Sequence, residues 1–154
     1  MMQVPTENDW SDPNTNPNYC ADIRWAKEHF IGKTVEEAEE LFIRNALHWQ
    51  EAIMFMPSIP FRYYVHAYMN YLLDNQCSKG DTDGASCFLS LIESKQEWDQ
   101  ADLLVVWPCV KETIEHIRRN SGWFDWNESI YGHLEERTTQ LLNWPLIAPD
   151  REGR

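Results

Sequence analysis

The stretch TVEEAEELFIRNALHWQEAIMFMPSIP, residues 34–60, contains two helix starts and one helix end, and it decides the fold class. Thr34 and Glu37 form a capping box, in which each side chain accepts a hydrogen bond from a backbone N–H group that the first helical turn leaves unpaired. Pro57 ends the helix that follows, because proline disfavours helical geometry in the residue before it. Ser58 is then placed to cap a new helix with Pro60 in its first turn. The stretch therefore predicts two consecutive helices.

Apolar side chains recur at helical spacing on both sides of Pro57. The first stripe consists of Val35, Ala38, Phe42, Ala46, Trp49 and Ile53, and the second of Phe61, Tyr64, Val65, Tyr68 and Leu72. Polar residues occupy the opposite sides, with Glu36 and Glu40 in the first helix and Arg62 and His66 in the second. This spacing is typical of amphipathic helices that bury one face in a core and expose the other to water.

The rest of the chain also favours helices. Residues 19–30 carry apolar positions at intervals of three and four, and Gly32 follows them as a helix cap. A polar stretch at 75–84 with two glycines and two aspartates predicts a loop. Asp99 is placed to cap a helix that enters the apolar run 103–110.

Two further features complete the helical prediction. Pro108 predicts a kink or a break at Trp107, and a final helix from about Glu128 is expected to bury its apolar side chains, Ile130, Leu134, Leu141 and Leu142. No segment alternates apolar and polar residues as a half-buried strand does. We therefore predict an all-α, single-domain bundle of five to seven helices. Its parts are an irregular N-terminal arm at 1–18, the helical domain at 19–145 and a frayed tail at 146–154.

Charge and hydropathy exclude several classes of function. Asp and Glu outnumber Lys and Arg by 25 to 13, which gives a formal net charge of −12 and argues against nucleic acid as a partner. The longest apolar run, 103–110, is far shorter than the ~20 residues of a membrane span. The first residues have neither the basic nor the apolar region of a secretion signal, so we expect a cytoplasmic location.

Motifs that carry chemistry are missing. The sequence has no G-x-S-x-G nucleophile motif and no glycine-rich phosphate loop, so we assign no catalytic residue and favour a non-enzymatic role without excluding an enzyme. The aspartates at 81 and 83 are spaced like the start of a calcium loop, but the later ligand positions fail. The pairs Glu112 with His116 and His133 with Glu136 lack the partners of a di-metal site. We expect no metal and no cofactor.

Four cysteines and a high aromatic content remain to be interpreted. Cys20, Cys77, Cys87 and Cys109 have no metal-site or redox-pair spacing and are expected to be reduced, buried thiols. The eight tryptophans exceed what a small core needs. Those in loops or beside polar residues, Trp10, Trp98, Trp123 and Trp126, are either exposed binding anchors or anchors of loops onto the core.

One segment supports a resemblance. The string from Phe55 through Pro57 to Phe61, Arg62, Tyr63 and Tyr64, followed by Ala67, Tyr68, Leu72, Leu73 and Asp74, resembles a motif of small uncharacterised bacterial helical proteins. The segments 88–92 and 103–117 are similar to theirs in spacing. The resemblance covers about two thirds of the chain and implies a bacterial helical domain. The family has no assigned activity, so the resemblance implies no catalytic residue.

Three functional hypotheses follow. The first is an acidic protein-binding domain that masks a basic partner through Glu36, Glu40, Trp123 and Trp126, and an inhibitor or immunity-type protein is one form of it. Residues 74–102, with seven acidic residues and two lysines, form a second acidic cluster. The second hypothesis is a small-ligand protein or enzyme with an inter-helix pocket near Arg62, Tyr63 and His66. The third is a homo-oligomeric module whose surplus aromatic residues close a symmetric interface.

Overall fold

The computed structural model describes residues 2–11 and 19–144, and every regular element in these ranges is helical. The α-helices are α1 (Cys20–Phe30), α2 (Val35–Met54), α3 (Ser58–Asp74), α4 (Thr82–Trp98), α5 (Gln100–Arg119), α6 (Glu128–Tyr131) and α7 (Leu134–Leu142). Short 3-10 helices lie at Glu7–Trp10 and Gln76–Ser78. The all-α fold class is therefore confirmed, with seven α-helices in the part of the chain that the structure describes.

The chain divides into two compact units, Met1–Asn75 and Gln76–Arg154. The predicted single domain stays a prediction. Part of the predicted arm, residues 2–11, is described and contains the first 3-10 helix. The predicted tail, 146–154, lies outside the described residues.

In the first unit, α1, α2 and α3 pack together around the two predicted stripes. The capping box at the start of α2 is confirmed, because Glu37 N donates to Thr34 Oγ1 at 3.1 Å and Thr34 N donates to Glu37 Oε1 at 2.9 Å. Phe61 is fully buried, as its place on the second stripe predicts. The rings of Phe42 and Tyr68 stack with their centroids 4.9 Å apart and join α2 to α3.

Helix α3 is buried on more sides than its sequence predicts. Arg62 and His66, which were expected on a hydrated face, are both half-buried. One cause is the 3-10 helix Glu7–Trp10, which contacts α3 and adds a layer that periodicity does not reveal. Trp10 is 3% exposed, and its ring centroid lies 6.0 Å from that of Tyr64. Of the two interpretations of Trp10, the structure favours an anchor of the arm onto the core, and this part of the arm is packed.

In the second unit, α4, α5 and α7 contact one another. Asp81 Oδ1 accepts a hydrogen bond from Gly84 N at 2.9 Å and caps α4. Since α4 begins at Thr82, the last three residues of the predicted loop 75–84 are helical. Arg137 of α7 joins α4 by donating to Ser86 Oγ at 3.0 Å and to Ser90 Oγ at 2.7 Å. These contacts cover one side of α4 and of α5.

Two predictions about helix ends differ from the structure. Helix α5 continues through Pro108, so the break predicted as one alternative at Trp107 is absent, and the kink stays a prediction. The φ that the proline ring fixes is compatible with a helix, and Val106 and Val110 are buried on the same face before and after Pro108. The predicted final helix is two helices, since Gly132 adopts φ +88° and ends α6. Ile130, expected in the core, is 70% exposed as a result.

Candidate functional site

The N-terminal half of α5 has an exposed apolar face directly opposite its buried face. The outer face consists of Ala101, Leu104, Val105 and Pro108, all of which are exposed. The buried face consists of Leu103, Val106, Val110, Thr113, Ile114 and Ile117. A helix with apolar residues all round is normally buried on all sides, whereas residues 2–11 and 19–144 leave one face of this half of α5 exposed. We call the four exposed residues the α5 outer face.

Trp98, the last residue of α4, stands three positions ahead of the α5 outer face and is 76% exposed. Leu104 is 47% and Val105 is 57% exposed. An aromatic side chain contributes about 150–250 Å² of buried area when a partner covers it. Tryptophan is also among the residues that most often dominate binding energy. Of the two interpretations of Trp98, this exposure favours a binding anchor over an anchor of a loop onto the core.

Acidic residues border the α5 outer face. Glu97, Asp99 and Glu112 are exposed, and Asp102 is half-buried. The rim, as we call these four residues, belongs largely to the acidic cluster predicted at 74–102. Two lysines offset part of this charge. The buried Nζ of Lys95 lies 3.2 Å from Asp99 Oδ2, and Lys111 is exposed on α5.

Trp123 and Trp126, predicted as partner-binding residues, lie in the loop that precedes α6 and contact residues outside it. Trp123 Nε1 donates to Ser78 Oγ at 3.1 Å, and Trp123 is 36% exposed. Trp126 is half-buried, and its Nε1 donates to Gly132 O at 2.9 Å. The Trp126 ring also lies 6.0 Å from the guanidinium carbon of Arg137. These contacts favour the loop-anchoring interpretation of both tryptophans.

Glu36 and Glu40 are exposed on α2, as predicted. They belong to the first unit, whereas Trp123 and Trp126 belong to the second. Their role in partner binding stays a prediction, and the α5 outer face lies in the second unit.

The predicted pocket residues lie together on α3. Tyr63 is buried, and its hydroxyl accepts a hydrogen bond from Val35 N at 3.2 Å, which fixes the start of α2 against α3. Burial lowers the pKa of His66, so its neutral form is favoured in the folded chain. A ligand pocket at Arg62, Tyr63 and His66 stays a prediction. An open depression of about 560 Å³ lies elsewhere, in the loop segment 121–128.

A second group of rings lies where α1 meets α2. Trp25 and Trp49 stack with centroids 5.5 Å apart and planes 8° apart. His48 packs edge-on against both indoles, at 5.4 Å from Trp25 and 4.6 Å from Trp49. His29 lies 4.9 Å from Trp49, and its Nδ1 is 2.9 Å from Trp25 O. Trp25, His29 and Trp49 are half-buried and His48 is exposed. We interpret this group as packing between two helices.

The cysteines and the candidate metal ligands are the remaining reactive groups that the sequence singles out. All four cysteines are thiols rather than disulfides, as predicted. Three are exposed and Cys87 is half-buried, so the expectation of buried thiols is wrong. Within 2–11 and 19–144, no three His, Cys, Asp or Glu side chains are placed to hold a metal ion. Within the same ranges, no helix combines the length and apolar character needed to cross a membrane.

Sequence reasoning missed Leu104 and Val105, although a signal was present. Ala101, Leu104, Val105 and Pro108 follow the i, i+3, i+4, i+7 spacing of an apolar helix face. Core positions occur in the same run at the same spacing, so the sequence does not distinguish the exposed face from the buried one.

Comparison of the chain with protein-family models, curated proteins and solved structures finds no match. The function therefore has to be argued from the geometry.

Proposed function

We propose that this chain is a protein-binding module that docks a partner on the α5 outer face and Trp98. The observation that carries the proposal is the exposure of Trp98, Leu104 and Val105 within eight consecutive positions. Apolar residues scattered singly over a surface need no explanation, whereas a face at helical spacing is typical of an interaction site. An inhibitor or immunity-type protein is one form that such a module takes.

Exposed apolar surface stabilises a complex because binding removes it from water. Each buried CH₂ group contributes about 0.8 kcal/mol, and a large aromatic side chain contributes more. The rim suits the edge of such an interface, since interfaces surround an apolar centre with polar residues that stay accessible to water. The α5 outer face and its rim have this arrangement.

The experiment compares two charge insertions at exposed apolar positions of the second unit. Leu104→Asp changes the α5 outer face, and Ile130→Asp changes an exposed residue on α6. Both are surface changes and are expected to alter the free energy of unfolding by about 0.5 kcal/mol or less. Circular dichroism and denaturant unfolding check that both variants fold.

Each tagged variant is then used to capture proteins from the native host, beside the unchanged chain. We expect a protein partner that is retained by the unchanged chain and by Ile130→Asp but lost from Leu104→Asp. A partner retained equally by all three forms would refute docking on the α5 outer face. Loss from both variants would show that the capture depends on general surface charge.

A further inference from the structure

We infer that the occupant of the α5 outer face is an amphipathic helix of another protein with basic residues beside its apolar stripe. This inference rests on the proposed docking function and adds the chemical class of the partner. Two features of the second unit carry it. They are the helical spacing of the exposed apolar residues and the sign of the charges around them.

The spacing favours a helix as the occupant. Ala101, Leu104, Val105 and Pro108 cover two turns, or about 10 Å along the axis of α5. Helices recognise each other by packing rows of side chains at i, i+3, i+4 and i+7 into the grooves between such rows on the partner. Helix α5 already packs in this manner on its buried face, where α4 and α7 contact it.

The rim sets the charge of the occupant. Glu97 and Glu112 are exposed and Asp102 is half-buried. Asp99 is exposed and pairs with the buried Lys95, and Lys111 is an exposed base on α5. Carboxylates at the edge of an interface favour a partner with Lys or Arg beside its apolar centre, because complementary charges speed the encounter and like charges oppose it. A helix with an apolar stripe between basic flanks meets both requirements.

A second copy of this chain fits the same face poorly. Two copies packed through their α5 outer faces would bring two acidic rims together, and each chain has a net charge of −12. Repulsion of this kind opposes association unless salt screens it. The homo-oligomer hypothesis is therefore the competing outcome of the experiment.

The experiment uses three synthetic peptides of about five helical turns and titration calorimetry with the full chain. The first peptide has leucines at i, i+3, i+4 and i+7 and lysines elsewhere. The second has glutamate in place of each lysine, and the third has the composition of the first in an order without a stripe. We expect the first peptide to bind roughly tenfold or more tightly than either of the others at 0.1 M salt.

The same titrations are repeated with Leu104→Asp and with Ile130→Asp. We expect Leu104→Asp to weaken binding of the first peptide by roughly tenfold or more, and Ile130→Asp to leave it unchanged. Equal binding of the first and third peptides would overturn the helix, and equal binding of the first and second would overturn the basic flanks. A dimer in sedimentation equilibrium that Leu104→Asp dissociates would overturn the inference in favour of a second copy.

These failures differ from failure of the proposed function. If no peptide binds while the native-host partner still depends on Leu104, the inference is wrong and docking on the α5 outer face stands. If the peptides bind at other positions and the captured partner ignores Leu104→Asp, the proposed function itself is wrong.

Discussion

A single hydroxyl group, that of Tyr64, holds the C-terminal end of α1 in place. Its oxygen lies 2.8 Å from the carbonyl oxygens of both Phe30 and Lys33, and it donates to them from a buried position. Burial raises the pKa of Tyr64, and the neighbouring Tyr63 adds to this effect. The hydroxyl therefore keeps its proton and remains a donor at neutral pH.

Tyr64→Phe is expected to lower the free energy of unfolding by about 1–3 kcal/mol, because it leaves two carbonyl groups without their donor. Denaturant unfolding measures the loss. Tyr19→Phe is the matched control, since Tyr19 is 46% exposed. Equal stability of Tyr64→Phe and the unchanged chain would contradict the role of this hydroxyl.

His66 is expected to make stability depend on pH. Burial lowers its pKa in the folded chain below the ordinary value of about 6.5 that it has when unfolded. As pH falls through 6.5 toward the folded pKa, the unfolded chain binds a proton that the folded chain does not, so stability decreases. We expect the unchanged chain to lose more stability between about pH 7.5 and pH 5.5 than His66→Gln does. Parallel pH profiles from denaturant unfolding would contradict this assignment.

At the scale of the element, α2 is two helical segments joined at Asn45. This residue has φ −167° and ψ 83°, and its side-chain oxygen accepts a hydrogen bond from His48 N at 3.1 Å. Asn45 thus acts as an N-cap in the middle of a helix. The second segment carries Trp49, which stacks on Trp25 of α1.

Asn45→Ala is expected to lower the free energy of unfolding by about 1 kcal/mol, because it removes the cap, whereas Asn45→Ser retains a capping oxygen and most of the stability. Near-ultraviolet circular dichroism reports whether the Trp25–Trp49 stack persists. An alanine variant at least as stable as the unchanged chain would show that a continuous α2 is equally favourable.

How far the elements can be predicted depends on how local their causes are. The start of α2 follows from Thr34 and Glu37 alone, and its prediction is confirmed. Ile130 could not be placed, because its exposure depends on the conformation of Gly132 rather than on periodicity. The α5 outer face was missed for a different reason. A helix that is apolar all round does not reveal from its own sequence which side its neighbours cover.

At the scale of the whole molecule, acidic residues occur in both units, and the sequence alone does not indicate which of them attract a partner. Glu36 and Glu40 are exposed in the first unit, and Glu97 and Glu112 are exposed in the second. All four residues are glutamates and carry the same charge. They differ in their surroundings, because only the second pair belongs to the rim of the α5 outer face. Charge reversal at each pair therefore distinguishes general attraction by the net charge from local steering by the rim.

Two double variants separate these effects. Glu36→Lys with Glu40→Lys and Glu97→Lys with Glu112→Lys change the net charge by the same amount, and all four side chains are exposed. If the rim steers the partner, only the second pair slows association of the lysine–leucine peptide, and salt removes the difference as the Debye length falls from ~10 Å at 0.1 M to ~3 Å at 1 M. Stopped-flow measurement of the association rate tests this. Equal slowing by both pairs would show that net charge alone governs the encounter, and slowing by the first pair alone would move the binding surface to α2.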